Sequence, residues 1–389
     1  MVNATTAISK ITRAMQIVYR PAQHYRHQPK MKCVLEVTAA DQLLTRLPDA
    51  LAGEASLAPL AAGQTPPDAL LLDEPIDDDI AVVVTTSGST GTPKGVELSA
   101  AALLVSAEAT RKALGSFTWT CVLPTSYVAG LMVLVRGLAD REHGGGGVRF
   151  ASKDLSDLAP DPNFPNAISI VPTQLERAIR DARVAETLAR YDQVLVGGAA
   201  LRAQTLEAAA DLGITVTRTY GMSETCGGMV YDGRPLPGVE VLIDEGRVRL
   251  KTPSAFSRYR GLPELTAQVL EGDIVTTNDR GRFVDGQLEL LGRFDDVVIS
   301  GGVNVDLAAA QAVVDELSAQ PAVLFGVPDD EWGTKILIAD EAARPIGWWR
   351  QELSGRLQKA ALPKQVLAGA LPRTSSGKVD FAALRERAN

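Results

Sequence analysis

The sequence predicts an α/β protein: a large N-terminal domain of parallel α/β subdomains with a small β-barrel-like subdomain, then a small α+β C-terminal domain. Three observations predict it. From residue 80 to 219, short β-branched apolar runs alternate with longer Ala/Leu-rich helical patterns, the order that builds a parallel sheet covered by helices. Between residues 238 and 292 the texture changes to short β segments divided by turns. Beyond Arg293 about ninety residues remain, enough for one compact domain mixing strands and helices.

Taken in order, residues 1–30 hold Lys10, Arg13, Arg20, Arg26 and Lys30, no acid, and two of the three histidines. They lack the apolar core of a signal peptide. They read as a basic extension that need not be ordered, with Met31 the start of the real domain and 34–37 its first convincing strand; a basic arm or targeting segment is the alternative. A strand over 81–85 precedes a helix over 99–114, and a strand over 119–123 precedes a helix over 128–138. The run 144–147 reads as a flexible turn. A strand over 168–171 leads into a helix ending near Arg190, 194–196 into a helix over 202–212, and 214–219 into a Tyr-Gly pair. The β-rich part has strands at 239–243, 247–251, 274–277 and 287–291. The last domain has strands at 297–299 and 323–327 and helices at 307–317 and 348–359. The expected domains are 31–293, with the β-rich part at about 238–292, and 294–389.

Composition narrows the class. The chain has 389 residues, enough for two or three cores, and no apolar run of membrane-spanning length. Its net charge of −8 argues against nucleic acid as a partner, while leaving room for anionic ligands at local cations and glycine loops. Cys33, Cys121 and Cys226 are scattered without metal spacing, which reads as a reduced cytoplasmic protein. Self-association into a homo-oligomer stays open.

Residues 85–95, Thr-Thr-Ser-Gly-Ser-Thr-Gly-Thr-Pro-Lys-Gly, carry the most chemistry. They follow a buried-strand pattern, and their N–H groups, hydroxyls and one mobile cation suit a polyphosphate. The ligand set is Thr86, Ser87, Gly88, Ser89, Thr90, Gly91, Thr92 and Lys94. A P-loop needs Gly-Lys followed by Ser or Thr; here Lys94 lies between Pro93 and Gly95, so that pattern fails. A flexible linker has similar composition, but seldom follows a buried strand or ends in Pro-Lys-Gly.

Further motifs follow in order: Gly197-Gly198-Ala199-Ala200, Tyr220-Gly221-Met222-Ser223-Glu224-Thr225, Gly272-Asp273, Gly292-Arg293-Phe294-Asp295-Asp296, Ser300-Gly301-Gly302-Val303-Asn304, and Pro372-Arg373-Thr374-Ser375-Ser376-Gly377-Lys378. Together with the 85–95 loop, this series closely resembles the adenylate-forming superfamily of acyl-CoA synthetases, free-standing adenylation domains and luciferases. The matches span residues 80 to 380.

The resemblance implies an ATP-dependent ligase with Mg2+ and CoA, in which a carboxylic acid is adenylated and its acyl group passes to a thiol. It implies Lys378 as the catalytic cation bridging carboxylate and α-phosphate, and Glu224 with Thr86 as magnesium ligands. Thr225 would hydrogen-bond the phosphate or the acyl group. Gly198, Ala199, Ala200, Tyr220, Gly221, Met222 and Ser223 would line the nucleotide, Tyr220 against adenine. Asp273 and Arg293 would hold the ribose. Asp295 would be the hinge of a mobile C-terminal domain, and Gly301 and Gly302 would let the CoA pantetheine approach. Cys226 has no role in that chemistry and reads as packing.

Two departures appear. Tyr127 stands where the family often has a histidine, so it can gate the acyl and thiol tunnels without imidazole acid–base help. Only about fifty residues separate Met31 from Ile80, so the front of the fold is pared down. That compactness, with 171–175 and 127–131, resembles the short o-succinylbenzoate–CoA ligases of menaquinone biosynthesis. An aromatic diacid needs a partner for its second carboxylate, and Ser126 and Arg136 are the candidates. On an apolar helix Arg136 could equally snorkel or hold a structural ion pair. Other readings are a different small acyl- or aryl-CoA ligase, an adenylation domain loading a carrier protein, and a nucleotide-binding regulator.

Overall fold

A computed structural model describes residues 31–32, 34–87, 93–318, 320–374 and 377–388. The chain forms two compact units: one runs to Leu242 and includes Arg249–Thr276, and the other comprises Ile243–Val248 and the chain from Thr277 onward. Among the described residues no helix is long and apolar enough to cross a membrane.

The first unit holds a seven-stranded and a five-stranded sheet, besides the short antiparallel pair Met31–Lys32/Ile76–Asp77. In the seven-stranded sheet Gly147–Phe150, Thr118–Cys121, Asn166–Ile170, Gln193–Gly197 and Val216–Met222 lie side by side and parallel; Gly227–Tyr231 and Arg234–Pro235 continue it antiparallel. In the five-stranded sheet Glu36–Ala39, Leu57–Leu60 and Ile80–Ser87 are parallel, and Pro93–Ser99 and Arg258–Tyr259 antiparallel. The α/β class expected from the alternation is therefore present.

Burial on both faces explains the apolar runs. In the central strand Ile168 and Ile170 enter one core with Val194 and Val196, while Ala167 enters the other with Trp119, Cys121 and Leu195. That second core also takes Val82, Val84 and Leu98 from the five-stranded sheet, joined through the helices Ala100–Leu114 and Val128–Arg141. Leu131 to Val135 are buried all round, as a helix enclosed by sheets requires. Ser99 starts its helix by accepting from the Ala102 N–H at 3.1 Å.

Four local expectations change. The single helix ending near Arg190 is two, Pro172–Ala178 and Ala182–Leu188, because Asp181 caps a fresh N-terminus through the N–H groups of Arg183 and Val184. The glycines at 144–147 are only in part an open turn: Gly144 has open space at φ +84°, but a Cβ at Gly146 would lie 1.9 Å from Thr118 Oγ1, so the end of the run is packed against the sheet. Residues 93–99, unassigned by pattern, form a strand whose period is disguised by buried Glu97, which pairs with Arg260 at 2.9 Å and Arg258 at 2.8 Å. The last long helix stops at Leu353 rather than near Lys359, two residues before Gly355 at φ +82°.

Strands expected over 238–292 form at Glu240–Asp244, Arg247–Lys251, Ile274–Val284 and Gln287–Arg293. In the second unit the Val297–Ser300/Val303–Asp306 hairpin, the antiparallel pair Ala322–Asp329/Gly333–Asp340 and Gln365–Ala368 pack with Leu307–Leu317 and Ile346–Leu353. Its buried polar anchor is Asp340, fully enclosed, which takes Arg344 Nε at 2.9 Å, Trp349 Nε1 at 3.1 Å and the N–H groups of Ala342 and Arg344. Burial pushes this carboxyl up, but Arg344 and the N–H donors outweigh it and hold the group below the usual carboxylate range. A lowered pKa means that the contribution is present above the ordinary aspartate value and is lost as pH falls through the lowered one. Asp340→Asn is expected to cost this unit about 3 kcal/mol, because Arg344 loses its buried partner. Urea unfolding followed by Trp fluorescence checks it; an unchanged midpoint would remove Asp340 as the anchor.

Candidate active site

The site grows from strand ends. Thr86 and Lys94 are Cα partners across the hairpin of Ile80–Ser87 and Pro93–Ser99, and Ser87 pairs with Pro93. Gly88, Ser89, Thr90, Gly91, Thr92 and the Ser87 side chain lie outside the described residues. Gly198, Ala199 and Ala200 are exposed at the carboxyl end of Gln193–Gly197. The neighbouring strand ends in Tyr220, Gly221 and Met222, with Ser223–Thr225 forming a tight turn after it. A Cβ at Gly221 would sit 1.9 Å from the Gly227 carbonyl oxygen, so only glycine allows the chain to fold back so closely.

Within that turn Glu224 and Thr225 part ways. Thr225 is fully buried; its hydroxyl accepts from the Met222 N–H at 3.1 Å and donates to the Gly227 carbonyl at 2.9 Å. Glu224 is half-buried; its Oε1 accepts from Tyr259 Oη at 2.6 Å and its carbonyl from the Phe256 N–H at 2.8 Å. Burial, then the Glu224 charge and hydrogen bond, push the Tyr259 phenol well up, so it stays a donor. Lys94 Nζ lies 5.4 Å from the Tyr259 ring centroid. Sequence reading missed Tyr259. Its one signal is an aromatic between Arg258 and Arg260, two residues before Gly261.

A second polar set lies at the start of the buried Val128–Arg141 helix and along it. Ser126 is buried, and Tyr127 is half-buried at the start of the Val128–Arg141 helix. Arg136 does not snorkel: it is 5% exposed, with its guanidinium 5.4 Å from the Trp119 ring and Nη2 3.7 Å from where a Gly227 Cβ would stand. Its buried Nε has no hydrogen-bond partner among the described residues, nor does the buried Ser169 hydroxyl. Ser169 is the Cα partner of Cys121 and also escaped the sequence reading. Asp140 nearby accepts from Trp119 Nε1 at 2.7 Å and the Phe117 N–H at 3.0 Å; burial pushes its carboxyl up, and these bonds and the Arg136 charge offset part of that. Cys226 is fully buried with its thiol pushed far up, and Cys121 is pushed up to about 11, so both are inert packing at neutral pH.

The remaining residues are spread over both units. Asp273, in the first, is exposed in the turn after Leu270–Glu271, and its carbonyl accepts from the Thr252 N–H at 2.9 Å. In the second, Arg293 grips Asp295 with Nε at 2.8 Å and Nη2 at 2.9 Å, and reaches Asp279 at 3.3 Å. Gly301 and Gly302 make the turn of the Val297–Ser300/Val303–Asp306 hairpin, and the Gly301 N–H donates to the Trp332 carbonyl at 2.9 Å. Lys378 is exposed; its carbonyl accepts from the Thr374 N–H at 2.8 Å, closing the loop whose Ser375 and Ser376 lie outside the described residues.

The chain is similar to known proteins over most of its length. A probable 2-succinylbenzoate–CoA ligase of Mycobacterium tuberculosis is 38% identical over 82% of this chain and 87% of its own. The 2-succinylbenzoate–CoA ligase of Enterococcus faecalis is 28% identical over 78% of this chain and 68% of its own. Among solved structures, o-succinylbenzoate CoA synthetase from Bacillus subtilis in complex with its acyl-adenylate intermediate has a TM-score of 0.73 at 20% identity, covering 99% of this chain and 92% of that one. ATP-bound MatB from Rhodopseudomonas palustris has a TM-score of 0.73 at 22% identity, over 98% and 92%. These two establish the fold alone. Residues 7–254 match the family described as AMP-binding enzyme. With that match over more than half its length, the chain belongs to the AMP-binding enzyme family.

Proposed function

We propose that this protein is an AMP-forming acid–thiol ligase that adenylates o-succinylbenzoate and transfers the acyl group to CoA, a step of menaquinone biosynthesis. Similarity to the mycobacterial ligase over four-fifths of the chain carries the reaction. Within the structure, buried Arg136 with its orphaned Nε supports an acid that brings a second carboxylate.

The chemistry has two steps. A carboxylate oxygen bonds to the α-phosphorus of ATP and the bond to the β-phosphate oxygen breaks, releasing pyrophosphate. The CoA sulfur, having lost its proton, then attacks the acyl carbonyl and AMP leaves. Lys94 and the hydroxyls beside it screen the phosphates, and Lys378 bridges the two anions as they approach. Tyr220 and Asp273 hold the nucleoside. Thr225, closed on its own turn, keeps Glu224 in place rather than touching the ligand. Ser126, Ser169 and Arg136 form the polar side of the acyl pocket, and Tyr127 stands at its mouth. Asp295, clasped by Arg293, is the hinge about which the C-terminal residues present first Lys378 and then Gly301 and Gly302.

Magnesium fits these residues. Among the described residues no group of three or more His, Cys, Asp or Glu could hold a metal alone, and this ion characteristically takes one or two protein oxygens with substrate phosphates and water. Glu224 and Thr86 would supply those oxygens, and the ion would add charge neutralisation at the phosphates. Cys121 and Cys226 as free thiols support a reducing, cytoplasmic location.

Pyrophosphate release with ATP, magnesium and o-succinylbenzoate, with and without CoA and against benzoates and fatty acids, tests the reading. Turnover confined to o-succinylbenzoate with CoA as acceptor is expected. Turnover with another acid alone would discard the pathway, transfer only to a carrier-protein thiol would discard the acceptor, and ATP binding without turnover would leave a regulator.

A further inference from the structure

Glu224 and Lys94 carry opposite charges and share one neighbour, Tyr259. Its Oη donates to Glu224 Oε1 at 2.6 Å, and its ring lies 5.4 Å from Lys94 Nζ. We infer that Tyr259 is a positioning residue for adenylation: it fixes the Glu224 carboxylate so that its other oxygen faces a phosphate-bound divalent cation. The inference rests on Glu224 being a metal ligand.

The segment around Tyr259 is anchored for such a task. Arg258–Tyr259 pairs with Pro93–Ser99 in the register Tyr259↔Val96, two residues beyond Lys94. The Tyr259 N–H donates to Thr266 Oγ1 at 3.0 Å, and the Phe256 and Tyr259 ring centroids lie 4.8 Å apart. Next to it Arg260, 5% exposed, spends its guanidinium on the carbonyls of Leu70 at 2.5 Å, Leu71 at 2.9 Å and Glu74 at 2.7 Å, and on Glu97 Oε1 at 2.9 Å. A phenol on so fixed a backbone has one direction in which to donate. With one carboxylate oxygen tied, Glu224 offers a single, oriented lone-pair set, and outer hydrogen bonds of this kind typically matter about 10–100-fold in metal affinity.

The test is ATP affinity by calorimetry, with magnesium and with EDTA, no acid or CoA present, on the full chain and on Tyr259→Phe, Glu224→Gln and the double variant. Tyr259→Phe should leave the melting temperature and EDTA affinity close to wild type, lower the magnesium-dependent enhancement about tenfold, and raise the magnesium concentration for half-maximal pyrophosphate release alike. The double variant should lose no more than Glu224→Gln, because the phenol acts through that carboxylate. If Glu224→Gln reduces the enhancement and Tyr259→Phe does not, the inference is wrong while the metal-ligand reading stands. If Glu224→Gln keeps the full enhancement, the metal-ligand reading falls, and this inference with it. Equal losses of ATP affinity with and without magnesium in Tyr259→Phe would reduce the residue to packing.

Discussion

Lys378→Ala is expected to reduce pyrophosphate release about 10²–10³-fold or more, the scale of removing one donor that faces developing charge. Carboxylate and α-phosphate repel as they meet, and a point cation on a flexible stem can follow both oxygens. Its backbone is fixed by the Thr374–Lys378 turn while the side chain stays exposed, so truncation should not disturb folding. Thioester formation from a supplied acyl-adenylate should remain near wild type, since that step needs no such bridge. Single-turnover assays of the two half-reactions check this. Normal pyrophosphate release by the variant would remove the lysine from the mechanism, and equal losses in both steps would make it a structural residue.

Arg136→Leu is expected to lower kcat/KM for o-succinylbenzoate about 10²-fold, the scale of a charge-assisted hydrogen bond lost in a buried pocket. Most of the change should appear in KM, because the second carboxylate is far from the reacting bond and is held alike in ground and transition states. A monocarboxylic analogue should show little change. Arg136→Lys should restore part of the activity, as it keeps the charge but not the fork. Removing a buried, poorly paired cation from beside Trp119 should leave stability unchanged or higher, so a pure folding defect would be visible as a lower melting temperature. Equal losses for diacid and monoacid would move the second carboxylate elsewhere.

The sequence carried the strand-and-helix alternation well because the central strands Thr118–Cys121, Asn166–Ile170 and Gln193–Gly197 are buried on both faces and each helix pattern is local. It lost the Pro93–Ser99 strand, whose Glu97 is neutralised by arginines more than 160 residues away. It joined two helices across Asp181 because the capping of a second helix looks like one polar residue in a helical run. It read the glycines at 144–147 as looseness throughout, where at Gly146 Thr118 leaves no room for a side chain.

For the site, the motifs were legible because glycine and hydroxyl loops, one carboxylate after Tyr-Gly, and one lysine in a terminal loop are local runs whose order is visible along the chain. Which side chains surround these runs is visible in the fold and not along the chain. Tyr259 meets Glu224 across 35 residues and Lys94 from the neighbouring strand of a sheet, Thr225 turns inward, and Arg136 is buried with its Nε unpaired. The reason is physical. Backbone curvature and phosphate-binding capacity are set by neighbouring residues, whereas burial, hydrogen-bond partners and the direction of a charge depend on which distant surfaces close over them.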